Sequence, residues 1–544
     1  EHASRHGPDD LPHALDCPTA GRPPGGGDTL PRMDIETPAW VRDAVFYQVF
    51  PDRLARSGRV EAPGELEAWD AEPTRHGFKG GDLYGVVAHL DRLRQLGVNA
   101  LYLNPVFTSA SNHRYHTDDY DSVDPLLGGT AGLRELLDEA HARDMRVVLD
   151  GVFNHCGRAF WPFHHVAENG TRSPYRSWFH LSDEVLAGQR GLSPYPSPEQ
   201  SAAIDRLRGS GAASGEASRQ VLGYEAWWDL PALPKLNLDE PRLRETILAA
   251  VERWTAFGLD GWRLDVAEEV GADFWREFHA RVRAVRPDAY LVAEVWHHKP
   301  EWLQGDMFDA FMNYPLTMAI LGFVAGERLD PAVPLPFEYQ GHVQPLDGVG
   351  LWGRIGELRA LNPAAVTAVQ LNLLGSHDTP RLLTLCGGDM DSLRLATLLQ
   401  MTLPGAPCIY YGDEIGMAGG QDPLCRAGFP EESAEWEREP YSWTADLVAL
   451  RHSSPAFRDA GLSLLDTAGP AIAYERRAGD EAFAVIVNAG DEALELEVAL
   501  PVPASAAEAV PLRGAASGEH SAEVDASRLR VALPGRDGLV VRLT

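Results

Sequence analysis

In Gly261-Trp262-Arg263-Leu264-Asp265, a short, largely apolar run from Gly261 to Leu264 is followed at once by a carboxylate. A run of this length, followed by the amphipathic stretch Phe274 to Val285, suits a strand buried on both faces of a parallel sheet. The same grammar recurs at Ala44 to Val49, Ala100 to Leu103, Arg146 to Leu149, Tyr290 to Ala293, Ala310 to Met312, Val369 to Leu373 and Cys408 to Tyr411, which makes eight strand candidates. Between them, Val86 to Leu96, Gly132 to Arg143, Leu243 to Phe257 and Asp391 to Thr402 return an apolar residue every three or four positions, the period of a helix with one buried face. Eight strand-helix alternations predict an α/β chain folded as a (β/α)8 TIM barrel, with its chemistry on loops at the carboxyl ends of the strands.

The flanks read differently. Residues 1–38 are rich in Gly, Pro, His and Asp, include Pro23-Pro24-Gly25-Gly26-Gly27, and predict a disordered tail. The connection from Asn154 to about Asp239 is too long for a simple strand-helix loop and predicts an inserted lobe after strand 3, with a Ser/Gly/Ala-rich patch near Gly209 to Ser218. Past Thr444, a helix at Leu447 to Arg451 precedes the alternating segments Ala471 to Arg476, Ala482 to Val487 and Leu494 to Leu500, which predict a C-terminal antiparallel β-sandwich. The expected division is a tail at 1–38, barrel at 39–154, lobe at 155–238, barrel again at 239–455 and sandwich at 456–544. Gly80-Gly81-Asp82-Leu83-Tyr84-Gly85 lacks the endings of phosphate and dinucleotide loops and reads as a tight turn into the first helix.

Composition narrows the function. The 544 residues are 44% hydrophobic, enough for a large core, and carry a net charge of −31. That charge argues against an electrostatic grip on nucleic acid or an anionic membrane and fits a neutral substrate. Cys17, Cys156, Cys386, Cys408 and Cys425 are odd in number and scattered, so neither disulfides nor structural zinc are expected. Cys156 has no assigned base beside it and reads as a structural thiol. No apolar run is long enough to span a membrane. Glu1 to Asp10 lack the features of a secretory signal, so a cytoplasmic location is expected, with secretion as the alternative if an upstream signal was removed. Monomer and homo-oligomer both stay open.

Four acids follow strand candidates: Asp150 in Val-Leu-Asp-Gly-Val-Phe-Asn-His, Asp265, Glu294 in Val-Ala-Glu-Val-Trp-His, and Asp378 in Leu-Gly-Ser-His-Asp. One acid there is ordinarily a cap or turn former. Four, each flanked by His, Arg or Trp, would converge on one barrel mouth. Cleaving a glycosidic acetal takes two carboxyls; at about 5 to 5.5 Å apart, one attacks the anomeric carbon while the other protonates the leaving oxygen. The proton donor needs a raised pKa, and Arg263, two residues before Asp265 on the same strand face, could hold Asp265 ionised.

These residues carry a resemblance. Asp150-Gly151-Val152-Phe153-Asn154-His155, Gly261-Trp262-Arg263-Leu264-Asp265, Glu294-Val295-Trp296-His297 and Ser376-His377-Asp378 are similar, in order, to the four signature regions of the α-amylase superfamily of retaining glycoside hydrolases. The resemblance covers roughly Val41 to the end. It implies Asp265 as nucleophile, Glu294 as acid/base and Asp378 as the carboxylate that grips sugar hydroxyls, with Arg263, His155 and His377 lining the same subsite and Asp150 supporting the arginine. Tyr115, in Asn112-His113-Arg114-Tyr115-His116, resembles the aromatic that stacks on the sugar being cleaved, with His113 nearby; His116 stands where close relatives carry Asp. Leu233-Pro234-Lys235-Leu236-Asn237, Asp265-Val266-Ala267-Glu268-Glu269-Val270 and the Trp296-His297 pair resemble the neopullulanase, cyclomaltodextrinase and maltogenic amylase group, which implies maltooligosaccharides, cyclodextrins or pullulan as substrates, α-1,4 and some α-1,6 cleavage, and transglycosylation as a side activity. Two departures stand out. The group's amino-terminal sandwich has no counterpart in the first 40 residues, and Glu268 replaces an Asn, adding charge near an acceptor subsite.

No cofactor is required by this reading. Asn154 resembles a residue that many amylases use for calcium, but the loop after Pro51-Asp52-Arg53 lacks clustered Asp and Asn oxygens, so calcium is left as an open alternative. His164-His165 and His297-His298 lack the ligand spacing of a transition-metal site. Trp227-Trp228 suits either a sugar platform or a lobe interface. Two competing functions use the same sequence: a glucanotransferase or sucrose isomerase with the same carboxylates, and an inactive barrel that only binds sugar or a partner.

Overall fold

The computed structural model describes residues 35–62, 64–431, 436, 438–459, 461–513 and 520–544; most of the expected tail, with Cys17, lies outside the described residues. Eight strands form one parallel sheet: β1 Phe46–Val49, β2 Ala100–Leu103, β3 Arg146–Gly151, β4 Gly261–Leu264, β5 Tyr290–Ala293, β6 Ala310–Phe311, β7 Leu371–Leu373 and β8 Ala406–Tyr410. Their order is β6-β5-β4-β3-β2-β1-β8-β7, and the ring closes where Met312, just past β6, bridges in parallel to Leu371 of β7. The Asn313 N–H donates to the Leu371 carbonyl at 2.8 Å across that seam. Nearly every strand residue is buried, as expected of strands covered by side chains inside and helices outside.

The helices fall where the apolar periodicity places them. The first is Leu83–Leu96, whose Asp82 cap accepts the Gly85 N–H at 2.8 Å and whose chain leaves through left-handed Gly97. The Gly80 to Gly85 segment is thus the predicted turn and cap, and Gly85 is obligatory because a Cβ there would lie 2.1 Å from the Ala55 carbonyl oxygen. The other four predicted helices appear as Gly129–His141, Pro241–Phe257, Ala272–Val285 and Met390–Thr402.

Between β3 and β4 the chain leaves the barrel and builds helices Trp161–Asn169, Pro198–Gly209 and Glu216–Leu222. The Ser/Gly/Ala-rich patch is the turn between the last two. Outgoing His155 bridges antiparallel to returning Lys235, and Phe179 to Leu236, so both ends of the excursion are zipped together beside the barrel mouth. Beyond helix Arg438–Ser453, a five-stranded and a three-stranded antiparallel sheet enclose a core that includes Ala484, Ile486, Val498, Leu529, Val531 and Val541. This is the predicted C-terminal sandwich. Among the described residues, no helix is long and apolar enough to cross a membrane.

Candidate active site

Strand register assembles the floor of the barrel mouth. In the β3–β4 ladder Asp150 lies directly opposite Arg263. The buried Arg263 guanidinium donates from Nη1 to both Asp150 oxygens at 2.8 and 3.0 Å and to Asp265 Oδ1 at 2.8 Å, while its Nη2 forms an ion pair with Glu294 Oε2 at 3.0 Å. One cation therefore ties together carboxylates from the ends of β3, β4 and β5. The Tyr102 and Tyr115 hydroxyls donate to Asp150 Oδ2 at 2.8 and 2.6 Å, which saturates that carboxylate beneath the floor.

Asp265 and Glu294 face a cleft of about 860 Å³ together with Asp378, His113, Tyr115, His116, His155, Trp296, His297, Glu268 and His377. Every residue read from the sequence as catalytic or substrate-binding reaches this cleft, except Arg263, which with Asp150 lies in the layer below. The Tyr115 ring stacks on His377 at 5.2 Å and 5°, and His113 accepts the Tyr115 N–H at 3.2 Å. His116 meets His113 edge-on at 4.9 Å. His155 stacks on Trp227 of the inserted lobe at 4.8 Å and 9°, and Trp227 stacks in turn on the half-exposed Trp228. Trp296 stacks on Tyr314 at 3.7 Å, and His297 lies 5.9 Å from His342. Glu268 is held by Lys299 at 2.8 Å, so its charge is partnered at the rim.

Burial dominates the electrostatics. It holds His155 down to about 3 and His116 to about 4, with His113 and His377 also well below the usual imidazole range, so these rings are neutral hydrogen-bonding groups near neutral pH. Arg263 acts on Asp265 in the expected direction, yet it does not prevail. Burial, reinforced by the charges of Glu294 and Asp150, pushes the Asp265 carboxyl well above its ordinary range. Burial and the Glu294 charge push Asp378 up to about 7, against the pull of Arg426 and Arg263; 30% of its side chain remains exposed to the cleft. With more carboxylates than cations around one point, ionising one carboxyl disfavours ionising the next.

Several contributors carry no sequence signal. Arg426, in the segment after β8, bonds the His377 carbonyl at 2.8 Å and reaches Asp378 at 3.5 Å. Gln48 of β1 holds His377 Nδ1 at 3.1 Å. Pro336 to His342, between β6 and β7, lines the cleft and presents Phe337 71% exposed. Glu269 accepts the Trp227 indole N–H at 3.0 Å and pairs with Lys235 at 2.8 Å, locking the lobe to the barrel. Arg426, Phe337 and Lys299 sit in irregular segments where no period links them to the site.

Asn154 Oδ1 is buried without a hydrogen-bond partner, but among the described residues no group of three or more His, Cys, Asp or Glu side chains is placed to hold an ion. Cys156 is buried against the Pro234 carbonyl, and burial pushes its thiol well above the usual range, as suits a structural role.

A closed (β/α)8 barrel with acidic side chains gathered around one buried arginine at its carboxyl mouth defines a glycoside hydrolase. The model of the α-amylase catalytic domain matches residues 48–453, and the chain belongs to the α-amylase family. It is 38% identical over 482 residues to a cyclomaltodextrinase of Geobacillus thermopakistaniensis, covering 88% of this chain and 73% of that protein. The structure of the Nostoc punctiforme debranching enzyme superposes with a TM-score of 0.78 at 40% identity, covering 94% of this chain and all of that one. The ligand-free cyclic α-maltosyl-(1→6)-maltose hydrolase of Arthrobacter globiformis gives a TM-score of 0.77 at 34% identity, covering 93% and 99%.

Proposed function

We propose that this protein hydrolyses α-glucosidic links in maltooligosaccharides, cyclodextrins and pullulan-type chains with retention at the anomeric carbon. The observation that carries the reading is the single guanidinium hydrogen-bonded to Asp265 and ion-paired with Glu294 inside one cleft, which supports two carboxyls acting on one sugar ring. Asp265 attacks the anomeric carbon as the glycosidic C–O bond breaks, and Glu294 gives its proton to the departing oxygen. A glycosyl ester on Asp265 and a free sugar hydroxyl result. Glu294, now ionised, takes a proton from water as the water oxygen attacks the same carbon, which frees Asp265 and restores the acid. Asp378 accepts hydrogen bonds from ring hydroxyls, backed by Arg426 and His377, and neutral His155 and His377 complete the sugar's hydrogen bonds.

The names of the relatives support both α-1,4 and α-1,6 cleavage. Transfer to a sugar hydroxyl is the expected side reaction. An acceptor would be favoured by the aromatic surface beside Glu294, where the Phe337 segment packs on Trp296 through Tyr339, with rings 6.0 Å apart. Incubation with maltotriose, β-cyclodextrin and pullulan, with products resolved, tests the proposal. Shortened, linearised or debranched products are expected, with a minor share of longer chains. No cleavage of any α-glucan, or products dominated by transfer or isomerisation, contradicts it.

A further inference from the structure

Val266 follows Asp265 with φ 46° and ψ 43°, in the left-handed region where a β-branched residue is a rare occupant. The neighbours hold it there. The Asp265 N–H donates to the Gly151 carbonyl at 3.0 Å, the Glu269 N–H donates to the Val266 carbonyl at 3.2 Å, and the Trp275 indole pins the Ala267 carbonyl at 3.0 Å. In this pose the Val266 N–H points across the cleft floor and donates to Glu294 Oε2 at 3.0 Å. Arg263 Nη2 is equally near that oxygen but lacks hydrogen-bond alignment, so among the described residues the Val266 N–H is the directed hydrogen bond on the Glu294 carboxyl. An oxygen facing both a donor N–H and a guanidinium is a poor seat for a proton.

Resting on the glycosidase reading above, we propose that Val266 is a positioning residue: its confined left-handed backbone anchors Glu294 Oε2 as the unprotonated oxygen and leaves Oε1 to carry the proton to the leaving group. The strand end that supplies the nucleophile thereby also orients the acid.

Placing α-hydroxyisovaleric acid at 266 turns that amide into an ester, which deletes the N–H and keeps the side chain. On aryl α-maltosides the ester enzyme is expected to lose roughly 30-fold in kcat/KM where the phenol is a poor leaving group and less than about twofold where it departs without protonation, since only the former needs an oriented acid. Val266→Gly keeps the N–H but releases the backbone, so the same pattern appears at about threefold. Equal losses on every leaving group overturn the proposal. A glycine variant indistinguishable from wild type also overturns it, and decides the matter if the ester protein does not fold. Glu294→Gln is the control for the reading beneath: loss confined to poor leaving groups supports Glu294 as the acid, whereas uniform loss or none sinks that assignment whatever happens at 266.

Discussion

Asp378, which the proposed function sets against the sugar hydroxyls, carries a cost to the fold. Its carboxyl titrates near 3.9 in an unfolded chain and is raised to about 7 in the cleft by burial and the Glu294 charge. A raised pKa means that the folded state prefers the neutral acid. The stability associated with that preference is complete below about pH 4 and is lost as pH rises through about 7, where the folded protein must ionise a confined group. Asp378→Asn keeps the shape without the charge. Its melting temperature is therefore expected to match wild type near pH 4 and to exceed it increasingly up to about pH 7, with a constant difference above, while activity falls. Thermal unfolding across pH checks this, and an Asn variant less stable than wild type at pH 8 contradicts it. The three cleft carboxylates are legible in the sequence because each follows an apolar run. Val266 is not, since left-handed backbone is advertised by Gly or Asn and never by a β-branched residue.

Among the elements, the inserted lobe is the one on which the site depends at a distance. Trp227 reaches from it to stack on His155 and to donate its indole N–H to Glu269, in the segment just after β4. Trp227→Phe keeps the stack and removes the hydrogen bond, a cost of about 1 kcal/mol. Trp227→Ala removes both and frees His155, and is expected to raise KM for maltotriose roughly tenfold with a smaller change in kcat, because it loosens a binding surface more than the reacting groups. Steady-state kinetics beside urea unfolding distinguishes the two variants; an alanine variant with unchanged KM removes the lobe from substrate binding. Strands β2, β4 and β5 have the bounds that their apolar runs predict. The β6 and β7 strands are shorter than expected, Ala310–Phe311 and Leu371–Leu373, since at the closing seam only Met312 and Leu371 bridge. The cleft wall from Pro336 to His342 could not be read because a short 3-10 turn in an irregular segment leaves no period to detect.

At the scale of the molecule, the barrel converts sequence distance into proximity. Asp150, Asp265, Glu294 and Asp378 are spread over more than two hundred positions, and parallel strands deliver them to one mouth because every strand ends on the same side. Arg263 then draws three of them together, hydrogen-bonded to Asp150 and Asp265 and ion-paired with Glu294. The proposed function builds on that spacing: two carboxyls beside one guanidinium would share one anomeric carbon, and the proposal requires a glycosyl ester on Asp265. Reacting the Glu294→Gln protein with 5-fluoro-α-maltosyl fluoride, digesting it and locating the added mass by tandem mass spectrometry tests this most directly. A maltosyl-type adduct on the peptide carrying Asp265 is the result expected, and an adduct on Asp378, or none alongside inverted products from the wild-type enzyme, contradicts the assignment.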